Sequence, residues 1–184
     1  MTAAKNPWQT LAIREVYDNP WIRVTAEDVI KPSGKPGIYG KVSFKNFACA
    51  IIPLAENGDT WLVGQYRYTL DLYSWEVPMG GVSRQDDLLT GAQRELREET
   101  GLTAKNWQPL MDCHISNSIT DEVGVVYVAE DLTEGEPDFD DTEDLQIRRL
   151  PFHNALQMAI HGDITDVLSL AGLLKLASLR PELR

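Results

Sequence analysis

The chain has 184 residues, 43% of them apolar, which is enough to form one substantial hydrophobic core. Its 28 acidic against 17 basic side chains give a formal net charge of -11, so its average field repels polyanions such as DNA, RNA and anionic membranes. We therefore expect neither long nucleic acid nor a membrane as partner, although cations and a few arginines can reverse the field locally for a small anionic substrate.

The first ten residues are polar and mixed, without the apolar core of a signal peptide. No later stretch approaches the roughly 18 uninterrupted apolar residues of a membrane-spanning helix, so the expected location is the cytoplasm. The two cysteines, Cys49 and Cys113, lack metal-ligand spacing, and Cys49 lies in an apolar run. This arrangement favours reduced, packed thiols over a disulfide or a thiol nucleophile.

The first third of the chain has the composition of β structure. Two strand-like segments, 21–25 and 39–44, flank a Pro- and Gly-rich stretch and predict an antiparallel hairpin. Two denser apolar runs follow at 48–54 and 60–63, and the Asn-Gly step between them favours a tight turn. We interpret these two runs as central strands that are buried on both sides.

Three later segments have the periodicity of helices. Leucines and alanines recur at helical spacing over 86–100, and Gly101 stands where a C-terminal cap is expected. Near the end of the chain, Pro151 suits the first turn of a helix over 151–160. Leucines at three- and four-residue intervals predict another helix over 165–179.

Between these helices the chain returns to strand composition. Short strands are expected at 113–115 and 123–129, followed by an acid-rich loop over 130–144 that is too polar to pack as an element. Strands on both sides of a central helix, with helices at the end, predict a mixed β-sheet sandwiched between helices. The expected fold class is therefore α/β (α+β).

The predicted helix over 86–100 carries three glutamates at the spacing i, i+3 and i+4. On a helix, Glu95, Glu98 and Glu99 share one face and converge on a patch about 5–6 Å across. Three like charges held this close favour a cationic partner, and oxygen ligands suit Mg²⁺ or Mn²⁺ better than zinc. The alternative is an ordinary acidic helix face that meets water.

The residues before this helix favour the metal-site interpretation. A Pro-x-Gly-Gly turn over 78–81 leads into the helix through a short loop. Because glycine permits close approach of the backbone, carbonyl oxygens of this turn can reach the same cation. Arg94 stands four residues before Glu98 and can orient a carboxylate or fix the loop.

The stretch 80–102 resembles the Nudix box, G-x5-E-x7-R-E-U-x-E-E-x-G-U, in which U is a bulky aliphatic residue. Without gaps, the matching positions are Gly80, Arg94, Glu95, Leu96, Glu98, Glu99, Gly101 and Leu102. One position departs, because Asp86 stands where the family has glutamate. The match leaves the three expected metal-binding acids intact.

This resemblance implies a mechanism in which the box helix holds one to three divalent cations. Mg²⁺ is the expected cofactor, with Mn²⁺ as a substitute, and a metal-activated water attacks the pyrophosphate. Glu95 and Glu99 are then the expected ligands, and a backbone carbonyl of Met79 or Gly80 adds one more. Glu98 is expected to act as a further ligand or as a catalytic helper.

Outside the box, the sequence resembles the ADP-ribose pyrophosphatase group. Segments 64–68 and 73–78 are similar to that group's strand, arginine and Glu-x-Pro-x-Gly approach to the box. The resemblance implies that Arg67 contacts phosphate or ribose and that Glu76 belongs to the substrate-binding residues. For Arg67 an ordinary surface salt bridge is the alternative. Glu122, at the end of a loop before a strand, is expected to approach a metal or the substrate ribose.

Glu143 resembles the mobile-loop glutamate that serves as general base in some relatives. A solvated loop without a catalytic role is the alternative for this acid-rich stretch. The predicted catalytic residues are therefore Glu98, Glu143 and Arg94.

The resemblance also implies how the chain is organised and what it does. Residues 1–46 are expected to form an N-terminal β extension that contributes to a homodimer, and 47–184 to form the Nudix domain. The expected reaction is hydrolysis of a small nucleoside diphosphate derivative, above all ADP-ribose to AMP and ribose 5-phosphate. Another nucleotide sugar, a dinucleotide or a damaged nucleotide are alternative substrates. A non-catalytic nucleotide-binding Nudix module is a further alternative, which the intact acids disfavour.

Overall fold

The structure is a computed structural model that describes residues 5–139 and 144–184. The chain forms two compact units. One contains 5–46 and 114–122, and the other contains 47–113, 123–139 and 144–184. No helix within these described ranges is long and apolar enough to cross a membrane.

The N-terminal unit is built on an antiparallel sheet of β1 (Gln9–Asp18), β2 (Ile22–Ile30) and β3 (Pro36–Phe44), in the order β1-β2-β3. The pairing of β2 with β3 confirms the predicted hairpin and the N-terminal antiparallel extension. Strand β1 was not predicted, because every position along it is exposed and its sequence therefore lacks an inward-facing apolar pattern. Asp121 joins the later segment to this sheet, since its Oδ1 accepts the Phe44 N–H at 2.9 Å.

Among the described residues, the larger unit contains two further sheets, three α-helices and a short 3-10 helix at Pro181–Leu183. Its strands are β4 (Asn46–Pro53), β5 (Asp59–Arg67), β6 (Leu72–Glu76), β7 (Met79–Ser83), β8 (Thr103–His114), β9 (Val123–Thr133) and β10 (Gln146–Pro151). One sheet has the order β7-β4-β9-β8 and is mixed, since β4 and β9 run parallel, and the other has the antiparallel order β10-β5-β6. The predicted mixed α/β (α+β) class is confirmed.

The two dense apolar runs are central strands, as predicted. Strand β4 lies between β7 and β9, and β5 lies between β10 and β6. Their inner residues form the core of the larger unit, where Ile51, Leu62 and Val63 are fully buried. The Asn-Gly step makes the predicted tight turn, with Gly58 in the left-handed region at φ 83° and the Ala55 N–H bonded to the Asp59 carbonyl at 2.9 Å.

Helix α1 (Leu88–Thr100) begins two residues later than the sequence pattern predicts. Asp87 is the N-cap, and its carboxylate accepts the Thr90 N–H at 2.8 Å. Gly101 provides the predicted C-terminal cap at φ 73°. The apolar side of α1 packs into a cluster with Cys49, Ile51, Trp61, Val82, Leu102 and Ala129. This packing fixes the rotation of α1 about its axis and therefore the direction in which its acids face.

The C-terminal helices are α2 (Phe152–His161) and α3 (Val167–Leu179), close to their predicted ranges. Two loop predictions are wrong. Strand β7 already begins at Met79, so the double glycine lies in a short strand and only the residues before it form the turn. Strand β9 continues to Thr133, because pairing within the sheet outweighs the polarity of those residues.

Candidate active site

The turn that joins β6 to β7 is attached to the core through its backbone. The Pro78 carbonyl accepts the Ile51 N–H of the central strand β4 at 2.8 Å. The next residue, Met79, donates its N–H to Oε2 of Glu99 at 2.9 Å. Strand β4 and helix α1 therefore both hold this turn, and the second bond fixes the orientation of a glutamate carboxylate.

Glu95 and Glu99 lie one helical turn apart on α1 and are buried, with 7% and 1% of their surface exposed. A Cβ added at Gly80 would overlap the Glu95 carboxylate, so glycine is required for this acid to lie against the strand. Burial of ionised carboxylates is costly unless a positive charge or hydrogen bonds compensate. The two buried acids therefore create a strongly cation-favouring position beside the turn.

Arg94 supplies one positive charge to this group. Its Nη1 lies 2.6 Å from Oε2 of Glu98, and its Nη2 lies 2.5 Å from Oε1 of Glu95 and 3.4 Å from the Gly81 carbonyl. Partial burial lowers the pKa of the guanidinium, but the charges of Glu95 and Glu98 outweigh that effect and the net shift is upward. Arg94 therefore connects two of the box acids to the backbone of β7.

Arg67 and Glu76 form a two-point ion pair next to the same turn. The Nε of Arg67 lies 2.9 Å from Oε1 of Glu76, and its Nη2 bonds to Oε2. Glu76 is 2% exposed. The hydrogen bond to Glu76 is the main cause of a raised pKa at Arg67; burial opposes it, while the charges of Glu76, Asp166 and Glu99 add to it. The partner of Arg67 is thus a buried carboxylate, and the charge of one box acid, Glu99, also acts on the guanidinium.

The family model of the NUDIX domain matches residues 45–168, more than half of the chain. The chain belongs to the Nudix family. A second family model, the nucleoside diphosphate sugar hydrolase N-terminal domain, matches residues 8–42. The box acids and the turn described above lie inside the Nudix match.

Relatives with assigned names agree with this membership. An ADP-ribose pyrophosphatase of Mycobacterium tuberculosis is 32% identical over 93% of this chain and 84% of its own length. An ADP-ribose pyrophosphatase of Bacillus subtilis is 28% identical over 86% of each chain. The solved structure of an ADP compounds hydrolase shares the fold, with a TM-score of 0.86 at 19% identity over 98% of both chains. The predicted Nudix hydrolase, similar to ADP-ribose pyrophosphatases, is confirmed.

Nudix hydrolases generally need a divalent cation, and the donors beside the turn fit one. Within the described residues, no three carboxylate, imidazole or thiol side chains are arranged around a common point. Glu98 and one oxygen of Glu95 bond instead to the Arg94 guanidinium. The oxygen-only donor set of Glu95 and Glu99, with the room that Gly80 leaves, suits a hard cation.

The remaining predicted site residues have different positions. Glu122 ends the 114–122 segment of the N-terminal unit, where its carbonyl accepts the Ile115 N–H at 3.4 Å. Its approach to a metal or ribose stays a prediction. Glu143 lies outside the described residues. Asp86, the departure from the Nudix box, is exposed in the turn before α1, where its N–H bonds to the Ser83 carbonyl at 3.0 Å.

Cys49 lies close enough to the box for Glu95 to act on it. Burial, with a smaller contribution from the charge of Glu95, raises the pKa of its thiol to about 12. A thiol with this pKa is protonated at neutral pH and is not a nucleophile. Neither Cys49 nor Cys113 forms a disulfide, as the sequence predicts.

Two residues that the sequence did not single out also belong to the surroundings of the site. One contacts the turn, and the other lies near Arg67. Ser169 accepts the Val77 N–H, and Asp166 lies near enough to Arg67 for its charge to raise the pKa of the guanidinium. In the sequence, the Asp-x-x-Ser spacing is a typical helix start and gives no sign of a role elsewhere. Ser169 contacts the turn only because α3 packs beside it.

Proposed function

We propose that this Nudix hydrolase cleaves the pyrophosphate of a nucleoside diphosphate linked to a second group, with ADP-ribose as the main substrate and AMP and ribose 5-phosphate as products. The observation that carries the proposal is the pair of buried carboxylates, Glu95 and Glu99, beside the glycine strand. The two named ADP-ribose pyrophosphatases, similar over most of the chain, support the choice of substrate.

Mg²⁺ is the proposed cofactor, with Mn²⁺ as a substitute; when bound, it supplies charge neutralisation and a more acidic water. Glu95 and Glu99 hold it, together with a backbone carbonyl of Met79 or Gly80. The Met79 N–H keeps the Glu99 carboxylate in a fixed orientation. Rigid carboxylates of this kind need little rearrangement during the reaction, which is how a preorganised site accelerates hydrolysis.

The other polar residues act on the substrate and on the proton of the attacking water. Arg67, held by Glu76, presents a fixed positive charge to the diphosphate and offsets the repulsion from the box acids. Glu98, which is less buried than Glu95 and Glu99 and pairs with Arg94, is one proposed general base, and Glu143 is the other candidate. Arg94 keeps the box acids together.

The N-terminal sheet is proposed to be the dimerisation element, with 1–46 as the extension of the Nudix domain and the cytoplasm as its location. Its support is an apolar surface that an isolated sheet would leave in water. Leu11, Ile13 and Ile38 are exposed by 56%, 61% and 77%. Leu11 and Ile38 line one surface depression of this sheet, and apolar side chains grouped in this way are typical of protein interfaces.

The experiment is a substrate panel in the presence of Mg²⁺ and ¹⁸O-labelled water, with products separated and weighed by mass spectrometry. The panel contains ADP-ribose, nucleotide sugars, dinucleotides and damaged nucleoside triphosphates. We expect ADP-ribose to give the highest kcat/KM and one product to carry a single ¹⁸O. If every diphosphate stays intact while nucleotides bind, the chain is a binding module and the hydrolase proposal is wrong.

A further inference from the structure

The turn before β7 is also attached to helix α3. The backbone N–H of Val77 donates to Oγ of Ser169 at 3.0 Å, and both residues are fully buried. Because Pro78 has no N–H, Val77 and Met79 supply the hydrogen-bond donors of this short segment. One of these donors binds Ser169 and the other binds Glu99. The serine and the box glutamate therefore hold adjacent parts of the same turn.

Asp166 determines how the Ser169 hydroxyl is oriented. Its Oδ2 accepts both the Ser169 N–H and the Ser169 Oγ–H at 2.8 Å. With the hydroxyl proton committed to Asp166, the lone pairs of Oγ are directed toward the Val77 N–H. A helix cap alone requires only the first of these bonds. The second bond extends the cap into a hydrogen-bonded chain of three residues, Asp166, Ser169 and Val77.

We propose that Ser169, oriented by Asp166, is a positioning residue that holds the Val77–Met79 turn in register with Glu99 and thereby sets the affinity of the box for its divalent cation. The inference rests on the proposed function, since it assumes that Glu95 and Glu99 bind the cation. Ser169 acts through Val77 and the turn and does not itself contact the substrate.

The chain of hydrogen bonds explains why a change at Ser169 alters cation affinity at the box. Without the Ser169 acceptor, the buried Val77 N–H has lost its hydrogen bond, and the turn must shift or admit water to satisfy it. Met79 is two residues away, and its N–H orients Glu99. Residues that orient metal ligands typically change metal affinity about 10- to 100-fold when they are removed.

The test compares Ser169→Ala and Ser169→Thr in the full chain, without substrate. Mn²⁺ affinity is measured by electron paramagnetic resonance, and exchange of the Val77 and Met79 amides is measured by NMR. We expect Ser169→Ala to weaken Mn²⁺ binding about 10-fold and to speed exchange at both amides. Ser169→Thr keeps the hydroxyl, so it should restore most of the affinity.

A matched control separates positioning from general loss of stability. Leu173→Ala removes a fully buried side chain one turn further along α3, and it should lower the melting temperature without changing Mn²⁺ affinity. Should Ser169→Ala fail to fold, Ser169→Cys keeps the shape with a weak acceptor and should give an intermediate loss. Unchanged Mn²⁺ affinity in Ser169→Ala, or an equal loss in Leu173→Ala, would overturn the proposal.

These measurements also distinguish this inference from the proposed function. A chain that binds Mn²⁺ with the expected dependence on Ser169, yet hydrolyses no diphosphate, would retain the positioning role and lose the proposed activity. A chain that hydrolyses ADP-ribose with full Mn²⁺ affinity in Ser169→Ala would retain the activity and lose the positioning role. A chain that binds no Mn²⁺ would overturn both.

Discussion

The two units of the chain depart from the usual distribution of side chains in opposite ways. The Nudix unit buries charged groups, and Glu76, Glu95 and Glu99 are each less than a tenth exposed. The N-terminal sheet exposes apolar ones, such as Ile13 and Ile38. Buried charge and exposed apolar surface are both unfavourable unless a partner compensates them. For the Nudix unit we propose that a cation and an anionic substrate complete this compensation, and for the sheet we propose another protein surface.

The substitution with the largest expected effect is Glu99→Gln, which tests whether the buried charge of the Nudix unit serves catalysis. It removes the charge of the most buried box acid and preserves its shape. We expect kcat for ADP-ribose to fall at least about 100-fold, because the variant loses a charged ligand. Steady-state kinetics over a range of Mg²⁺ concentrations measures the effect. Glu130→Gln is the matched control, since Glu130 is already paired with Arg180. Equal rates for Glu99→Gln and the unmodified chain would show that this burial has no catalytic purpose.

Arg67→Ala tests whether a half-buried cation serves the substrate or only its partner Glu76. We expect KM to rise about 10-fold, the effect of a lost charge-assisted contact to phosphate. The free energy of unfolding should fall by about 3 kcal/mol, the lower end for a broken buried pair, because the variant leaves the Glu76 carboxylate buried without its cation. Kinetics and urea unfolding report the two effects separately. A stability loss with unchanged KM would make Arg67 purely structural.

A charged substitution tests whether the exposed apolar surface of the N-terminal sheet forms an interface. Ile13→Lys places an ammonium group on strand β1, and we expect the proposed homodimer to dissociate into monomers. Light scattering after size-exclusion chromatography measures the mass. Leu179→Lys changes an equally exposed side chain in the Nudix unit and should leave the dimer intact. A monomeric unmodified chain would remove the proposed role of this sheet.

The smallest expected effect is a change in the pH dependence of stability when Glu130, which is paired with Arg180, is replaced. The hydrogen bond from Arg180 lowers the pKa of Glu130 from its usual 4.5, with a further contribution from the arginine charge and partial opposition from burial. A lowered folded-state pKa stabilises the fold above the unfolded value, and this stabilisation is lost as pH falls through the folded value. Glu130→Gln should therefore flatten the acid limb of stability below about pH 4.5. Identical acid limbs would contradict this ion pair.

The sequence predicted the fold where burial left a periodic pattern. Helix α1 and its Gly101 cap were predicted because its apolar residues recur at helical spacing against the core. Strand β1 was not predicted, since a strand exposed along its whole length has no pattern that distinguishes inside from outside. Strand β7 was read as a turn because its two glycines have turn-like composition, although β4 pairs with it.

The residues of the site likewise fall into those that the sequence pattern reveals and those that only the packing reveals. Glu95, Glu98 and Glu99 were found because their spacing on one helix is local information. The contact of Ser169 with Val77 joins residues 92 positions apart and depends on how α3 packs. The register of β5 and β6 sets Arg67 opposite Leu72 and Glu76 opposite Val63, so the ion pair of Arg67 with Glu76 also depends on how the two side chains meet along one face of these strands. Residue spacing therefore indicates the chemistry, whereas packing determines what holds it in place.

The most direct test of the central claim is a crystal of the chain grown with Mn²⁺ and measured at a wavelength that gives anomalous signal from manganese. We expect an anomalous peak bounded by the carboxylates of Glu95 and Glu99 and by the backbone beside Gly80. A crystal of protein that hydrolyses ADP-ribose with Mn²⁺, but whose peaks all lie elsewhere, would contradict it.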